Sequence, residues 1–480
     1  KSYDMPTAMG IALFFMLLCN PVRILDAGMQ LSYMAIAGVS LGNYGMKRLH
    51  KKTGFRRFQK RYPLRFRVVQ SLFYSVTLQG MMLPVVAKTY YEIPVYAGLL
   101  NLIVVPGMTV VVAGSWFGLL VSIGTISLGR FVMLPVGWML QGYTWLCERT
   151  LELPWNTLVT GEIRGWQIGM WYGGIACTLV LLCTKTRNKL RDFVYKHTGR
   201  FWRKREVVRY TVCTILISML LQGAGQALCV WQQRTEAICF LDVGQGDGIL
   251  IRSPDGRNIV IDGGSTSQSK CGTYTLLPAL RSQGMTEIDC WFVTHTDEDH
   301  ISGLKELLLQ GKLTQIKVRT VVFSAYVFQD AALAELEAVI RAAGITIVWM
   351  REGDVIGDDT FTLTCLHPTA EYRAKDKNAA SLALAYHSDT FDMLFTGDMD
   401  ADAVADMDIQ QDYDCIKLPH HGSKYSYVEG VYAHADYGLI SCGYNNRYGH
   451  PHTEVLQGLA QEGSKVLRTD EMGAVVFRGR

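Results

Sequence analysis

Six consecutive residues, His295-Thr296-Asp297-Glu298-Asp299-His300, carry two imidazoles and three carboxylates. The largely apolar run 288–294 before them predicts a strand, and the residues from Ile301 onward predict a helix. The cluster therefore sits on one turn at a strand end, where its side chains converge on a small volume. Neutral imidazole and carboxylate are the donors that divalent ions take in hydrolytic sites. A solvated acidic turn would account for Glu298 but not for a histidine at each end. Three further strand ends carry matching donors: Asp262 in IDGG, Asp398 in LFTGD, and His420 with His421 in KLPHHGS. Each alone is ambiguous, because aspartate beside glycine usually only shapes a turn. Together they give the order Asp, His/Asp cluster, Asp, His. His450 and His452 in YGHPH can reach such a site from a late loop, and His450 is a candidate proton donor to a leaving oxygen. The string DVGQGD is glycine-rich, but no helix follows it, so it is not a phosphate-binding P-loop. Asp242 and Asp247 within it read as turn-organising residues. Ser423 has no evident general base and does not read as a nucleophile.

These donors need a scaffold, and the pattern from Cys239 onward supplies one. Short β-rich runs, beginning at 237–242, 247–252 and 258–262 and ending at 474–478, alternate with helix-like runs at 275–283, 300–310, 329–343, 401–409 and 452–461. That mixture suits helices packed outside a sandwich of sheets. Twelve cysteines are present, none in a C-x-x-C pair, which argues against a zinc ribbon.

The rest of the chain has a different chemistry. Residues 1–235 hold 27 Lys+Arg against 8 Asp+Glu, whereas residues 236–480 hold 20 against 35. A basic, apolar half joined to an acidic, polar half implies two solvents, lipid and water. Uncharged runs at 5–22, 27–46, 68–87, 93–129, 131–147, 165–184 and 211–233 approach or exceed the roughly 20 residues that cross a bilayer. The run 93–129 reads as one long crossing, two short ones, or one crossing with a re-entrant piece. Two stretches, 43–67 and 185–209, each hold ten Lys/Arg, which marks them as cytoplasmic. With one crossing per run between them, four crossings separate the stretches and both face the same side. The run 211–233 then carries the acidic half outside the cytoplasmic membrane. The predicted architecture is thus a polytopic α-helical membrane domain over 1–235, with about six to seven helices, and a soluble α/β domain over 236–480.

The order and spacing of the strand-end donors resemble the metallo-β-lactamase superfamily. That resemblance implies an αββα sandwich with one or two metal ions at one edge. The family signature H-x-H-x-D-H carries Asp297 here in place of its second histidine. The family's third-motif histidine is replaced by Lys377 and Asn378 in KNAASLAL. The resemblance implies one position made of His295, Asp297 and shared Asp398, and another made of Asp299, His300, Asp398 and a histidine from His420/His421. It implies that Asp262 holds a bound water or a ligand histidine in place. Fewer nitrogen donors shift preference from zinc toward manganese.

The strings FLDVGQGDGILIRSPDGRNIVIDGG, THTDEDHISG, LFTGDMD, KLPHHGS and SCGYNNRYGHPH together resemble the ComEC family of bacterial competence DNA-uptake channel proteins. So do LLCNPVRILDAGMQLSYMAIAGVS and LLNLIVVPGMTVVVAG in the membrane half. That resemblance implies uptake of single-stranded DNA through a multi-pass channel in the cytoplasmic membrane, coupled to a metal-dependent deoxyribonuclease with Asp262, Asp299 and His450 in catalytic roles. It implies DNA, membrane lipid and other uptake-machinery proteins as partners. It also implies a further N-terminal part, with an extracytoplasmic domain and earlier helices, preceding Lys1. Two rival readings are a channel whose hydrolase domain is degenerate and non-catalytic, and a membrane-tethered hydrolase of small molecules.

Overall fold

The computed structural model describes residues 5–50, 53–182, 235–407, 409 and 411–479. The chain divides into two compact units, Lys1–Cys229 and Val230–Arg480. The second basic stretch, 185–209, and the expected crossing at 211–233 lie outside the described residues.

Among the described residues of the first unit the helices are α1 (Met5–Cys19), α2 (Ala27–His50), α3 (Thr53–Arg61), α4 (Pro63–Tyr90), α5 (Ala97–Gly124), α6 (Ile126–Leu151) and α7 (Gly165–Leu182). The ambiguous run 93–129 holds one 28-residue helix, α5, which passes Pro106 without ending and stops at Thr125, where α6 begins. One helix therefore stands for each of the four runs between the basic stretches. Helices α4 and α5 are long and apolar enough to cross a membrane. Where lipid is as apolar as the helices, association depends on close backbone packing rather than on hydrophobic drive. Gly38 of α2 provides it, because a Cβ there would come within 2.7 Å of the Cα of Leu78 in α4.

The connections after α4 and after α6 are tied together. Strands β1 (Glu92–Pro94) and β2 (Thr157–Val159) pair antiparallel, and the Tyr96 hydroxyl donates to the Pro154 carbonyl at 2.8 Å. The basic residues lie at the opposite end of α4, in the last turn of α2, in α3 and in the first turns of α4. Phe55 and Phe58 of α3 pack on Phe66, with ring centroids 5.3 and 6.5 Å apart, while Arg56, Arg57 and Lys60 are exposed. A short helix with one aromatic face and one cationic face suits a bilayer surface with anionic headgroups.

The second unit is built from two seven-stranded sheets. The first runs β16 (Val475–Arg478), β3 (Ala237–Phe240), β4 (Gly248–Arg252), β5 (Asn258–Asp262), β6 (Glu287–Val293), β7 (Lys317–Ser324) and β8 (Thr346–Met350). The second runs β15 (Lys465–Arg468), β14 (Ala435–Ile440), β13 (Tyr413–Lys417), β12 (Asp392–Phe395), β11 (Ala383–Ser388), β10 (Phe361–His367) and β9 (Val355–Gly357). In each sheet four neighbouring strands, β5 to β8 and β12 to β15, are parallel.

The two-residue period of a strand sorts the core into layers. Ile249, Ile259, Phe292 and Val322 face the second sheet and pack with Leu384, Met393, Phe395 and Cys415. Their neighbours Leu250, Val260, Trp291 and Val321 face outward, under α8 (Leu277–Ser282), α9 (Glu298–Gln310) and α10 (Ala331–Ala342). On the other face, α12 (Thr453–Glu462) buries Val455 and Leu459 against Ile416 and Ile440 of the second sheet. Short helices α11 (Ala401–Asp406) and α13 (Thr469–Met472) complete the unit. Each large apolar side chain so buried contributes about 1.5–3 kcal/mol. The result is the expected αββα sandwich. The edge strands β9 and β15 and the helix α13 are additional to the elements read from the sequence. They are three or four residues long, too short to show a period.

Candidate metal centre

The site is assembled at the strand ends of both sheets. β5 ends at Asp262, and β6 leads through Thr294 into the 295–300 turn. Asp398 follows β12, and His420 and His421 follow β13. Three backbones have to meet for these ends to converge. Gly264 makes this possible, because a Cβ there would lie 2.5 Å from the Glu298 carbonyl oxygen and 2.6 Å from the His300 nitrogen. Asp262, His420 and His421 adopt positive φ of 56°, 50° and 56°. For non-glycine residues that conformation costs on the order of 1 kcal/mol or more each, and surrounding contacts must hold it.

Hydrogen bonds fix three rings with one nitrogen held and the other left free. His300 Nδ1 donates to Asp262 Oδ2 at 2.8 Å. Asp262 also accepts from the Thr294 amide at 2.8 Å and the Thr294 hydroxyl at 2.7 Å. His421 Nδ1 donates to the Ser441 carbonyl at 2.8 Å, and His295 Nδ1 faces the Thr294 hydroxyl at 3.1 Å. The opposite nitrogens, Nε2 of His295, His300 and His421, are buried without a hydrogen-bond partner, as is Asp398 Oδ1. His300 Nε2 lies 3.4 Å and His421 Nε2 3.2 Å from Asp398 Oδ2, and His421 Nε2 lies 3.5 Å from Asp299 Oδ2. An orphaned buried nitrogen costs about 1–3 kcal/mol. Two of them within 3.4 Å of one carboxylate oxygen, with His295 in the same donor cluster, fit a divalent cation, with outer partners that set each tautomer.

The electrostatics agree. Asp247, Asp262 and Asp398 surround the buried Lys417 ammonium, which pairs with Asp247, lies 3.6 Å from Asp398 and donates to the Gly397 carbonyl at 2.8 Å. Burial opposes charge on His300, yet the Asp398 and Asp262 carboxylates outweigh it and hold its pKa well above the usual imidazole range. His421 behaves likewise, with Asp398 and Asp299 overcoming burial and pushing it up to about 10. Burial works to raise Asp398, but His421 and His300 hold it well below the carboxylate range. Such a pocket demands positive charge, which a metal ion meets better than protons on its own ligands.

Among the described residues, four groups of donors bring their ligand atoms within 4.8 Å of one another: His295–His300–Asp398, Asp299–His300–His421, Asp247–Asp398–His421 and Asp247–Asp262–His300. Of the two adjacent histidines, His421 points into the site. His420 stands back, its Nε2 4.0 Å from Asp398 and its side chain one-third exposed. Asp297 belongs to none of the groups and is ion-paired with Lys377. His450 lies on the cavity wall, its ring 5.7 Å from His420. Burial, together with the nearby His421 and His420 rings, pushes its pKa down to about 4. Lys417 carries no signal of its own in the sequence, and Asp247 reads there as a turn residue. Asp247 does brace the turn, its amide donating to the Asp299 carbonyl at 3.0 Å, but its side chain also enters the site. Asp242 keeps the turn role, accepting from the Gly244 amide at 3.1 Å.

The site opens into a cavity of about 300 Å³, lined by Gln245, Thr266, Asp299, Asn378, His420, Tyr448 and His450 among others. From the candidate ligand His421 a chain of rings leads outward. His450 is 6.3 Å away, Tyr448 stacks on His450 at 5.7 Å, and His452 lies 5.0 Å from His450 and 6.3 Å from Tyr425. Arg447 lies over Tyr448 at 4.8 Å and Lys424 over Tyr425 at 5.6 Å.

Comparison with known proteins divides the chain in the same place. Residues 1–185 match the competence protein family, and residues 241–370 match the metallo-beta-lactamase superfamily. The chain is 26% identical to ComE operon protein 3 of Bacillus subtilis (strain 168) over 491 residues, covering 98% of this chain and 58% of that protein. It is 26% identical to competence protein ComA of Neisseria gonorrhoeae over 289 residues, covering 55% of this chain and 38% of that protein. The chain thus spans less than two thirds of either relative. Among solved structures, the metallo-beta-lactamase fold protein YhfI from Bacillus subtilis matches 51% of this chain and 100% of its own, with 13% identity and a TM-score of 0.34. Zn(2+)-bound PqqB from Methylobacterium extorquens matches 48% of this chain and 87% of its own, with 9% identity and a TM-score of 0.32.

Proposed function

Because the chain joins a competence-protein domain to a metallo-β-lactamase domain, the two-part make-up of the ComEC family, we propose that it takes part in uptake of single-stranded DNA across the cytoplasmic membrane and that its soluble half, 236–480, hydrolyses phosphodiester bonds of the strand left outside. The observation that carries the hydrolytic reading is the convergence of two buried, partnerless imidazole nitrogens, those of His300 and His421, on Asp398. A divalent ion there, manganese or zinc, would supply Lewis acidity toward a phosphoryl oxygen and make water more acidic. Asp299, His300, Asp398 and His421 would hold it. Asp262 acts as a positioning residue, because its carboxylate fixes the tautomer of His300. His450, on the cavity wall, is the group placed to exchange a proton with the leaving oxygen.

The ring chain favours a polynucleotide over a small molecule. Bases stack on exposed aromatic faces without regard to sequence, while Lys424 and Arg447 meet the phosphates. The metal-loaded chain in detergent is expected to cut an end-labelled single-stranded oligonucleotide. The double variant Tyr425→Ala, Tyr448→Ala is expected to weaken single-strand binding by about thirtyfold or more, measured by fluorescence anisotropy, since two base–ring stacks are lost and each contributes about 1–3 kcal/mol. Its manganese affinity should be unchanged, since neither ring belongs to a donor group of the centre. Intact DNA beside hydrolysed lactone or thioester would instead establish the small-molecule reading.

The soluble half lies outside the cytoplasmic membrane in this proposal. The basic end of α2, α3 and α4 marks the inner side, and the β1–β2 end faces outward. The helix count from α4 to α7 brings the chain back to the inner side before the proposed crossing at 211–233. With native cysteines removed, single cysteines at Trp155 and Leu309, which are 84% and 68% exposed, should react with an impermeant thiol reagent on intact cells. A cysteine at Lys60 should be protected until the cells are opened. Protection at Leu309 in intact cells would place the hydrolase inside. The remaining partners, membrane lipid at α3 and other uptake-machinery proteins, follow from the same reading.

A further inference from the structure

The fold family's two-ion arrangement does not fit this chain at its first position. A stable site takes three or more protein donors. Here that position could draw only on His295, Asp297 and Asp398, and Asp297 is already engaged. Its Oδ1 is ion-paired with the Lys377 ammonium, and its Oδ2 lies 3.6 Å from His295 Nε2. Lys377 is itself held from a second side by Asp330 Oδ2 at 3.5 Å. Asp330 is anchored in turn, since it caps α10 by accepting from the Leu333 amide at 2.8 Å and accepts from the Thr296 hydroxyl at 3.2 Å. Among the described residues, every group of donors close enough for an ion omits Asp297. His295 enters one of them, but only with His300 and Asp398, both of which already belong to the other position. A divalent ion at the first position would also sit beside a fixed ammonium of like charge.

We infer that the Lys377 ammonium, clamped by Asp297 and Asp330, takes the place of a first metal ion, so that the centre binds one divalent ion, through Asp299, His300, Asp398 and His421. The positive charge that a second ion would turn toward an anionic substrate is then built into the chain and does not depend on metal supply. The inference rests on the metal-site reading above and not on the nuclease reading, and its test needs no activity. The full chain in detergent is loaded with manganese(II), dialysed against metal-free buffer and counted by elemental analysis. One ion per chain is expected, and two would overturn the inference. In calorimetry, Asp297→Asn should keep manganese affinity within about tenfold of the wild type, the lower end of what an outer partner contributes. A larger loss would make Asp297 a ligand and overturn the inference. The double variant Asp297→His, Lys377→His, which restores two nitrogen donors, should bind two ions per chain if its circular dichroism matches the wild type. One ion in that folded variant would count against the ammonium's exclusion of the metal.

Discussion

Asp398→Ala is expected to abolish tight manganese binding and to lower hydrolysis by more than about a thousandfold, or 4 kcal/mol of transition-state stabilisation. Asp398 Oδ2 lies within 3.4 Å of the free nitrogens of both His300 and His421, which no other carboxylate oxygen does. The side chain is buried, so water cannot take over its role from bulk solvent. Without it the two imidazoles lose the oxygen that completes their geometry, and the remaining donors are split between Asp299 on one side and Asp247 on the other. Asp398→Asn separates shape from charge. It keeps the volume and loses the anion, and it should bind metal nearly as poorly as the alanine variant. Calorimetry on the apo chain gives the affinity, and circular dichroism shows that the fold remains. Wild-type stoichiometry in a folded Asp398→Ala chain would sink the assignment of the centre.

Lys417→Met should be the most destabilising single change at the site, costing about 3–5 kcal/mol when metal is absent. Lys417 is buried among three inward carboxylates, those of Asp247, Asp262 and Asp398. Its pKa stays above the ordinary lysine value because Asp247 and Asp398 outweigh the burial that would lower it. Removing one partner of a buried pair leaves the other charge uncompensated, which is where a cost of that size arises. For a domain of this length it corresponds to a fall in Tm of about 10 °C. Part of the loss should return in two ways that a simple packing defect would not show. Manganese should narrow the gap between variant and wild type, since a bound cation compensates the same carboxylates. Adding Asp247→Leu should also recover stability, because it removes the stranded charge. Equal thermal stability of Lys417→Met and wild-type apo chains would overturn the reading of Lys417 as the internal counter-ion.

The donor order at the strand ends is legible in the sequence because each donor follows an apolar run long enough to be read as a strand. Asp262, the 295–300 turn, Asp398 and the paired histidines all meet that condition, and each of these strand ends sends at least one donor into the site, although His420 and Asp297 do not enter a donor group. Asp247 and Lys417 were missed for a common reason. Each looks ordinary within its own segment, one in a glycine turn and the other at the end of β13, and they acquire a role only where two different sheets bring them together. Which of His420 and His421 turns inward is likewise set by two consecutive positive φ angles, and residue type does not announce those. The loss of two family histidines is visible in the sequence. What replaces them is visible only in the fold, because Asp297 and Lys377 are 80 residues apart in the chain and meet as an ion pair. In the first half the run 93–129 is ambiguous because it is too long for a single level crossing and holds Pro106 and several glycines that would permit a break, and proline breaks helices in water far more readily than in a bundle whose neighbours absorb the lost hydrogen bond.

The position of β16 constrains the order of events during synthesis. This strand, the last in chain order among the described strands, pairs with β3, the first described strand of the second unit, and Phe477 packs on Phe240, Phe391 and Tyr437 from both sheets. Until the ribosome has delivered residues 475–478, β3 has an open edge and the interior between the sheets lacks one of its aromatic plugs. The second unit therefore completes its first sheet only once translation has passed residue 478. A chain whose synthesis has stopped short of that point carries an unfinished sandwich, so the donors at the strand ends gain their full scaffold only after residues 1–235 have long been made.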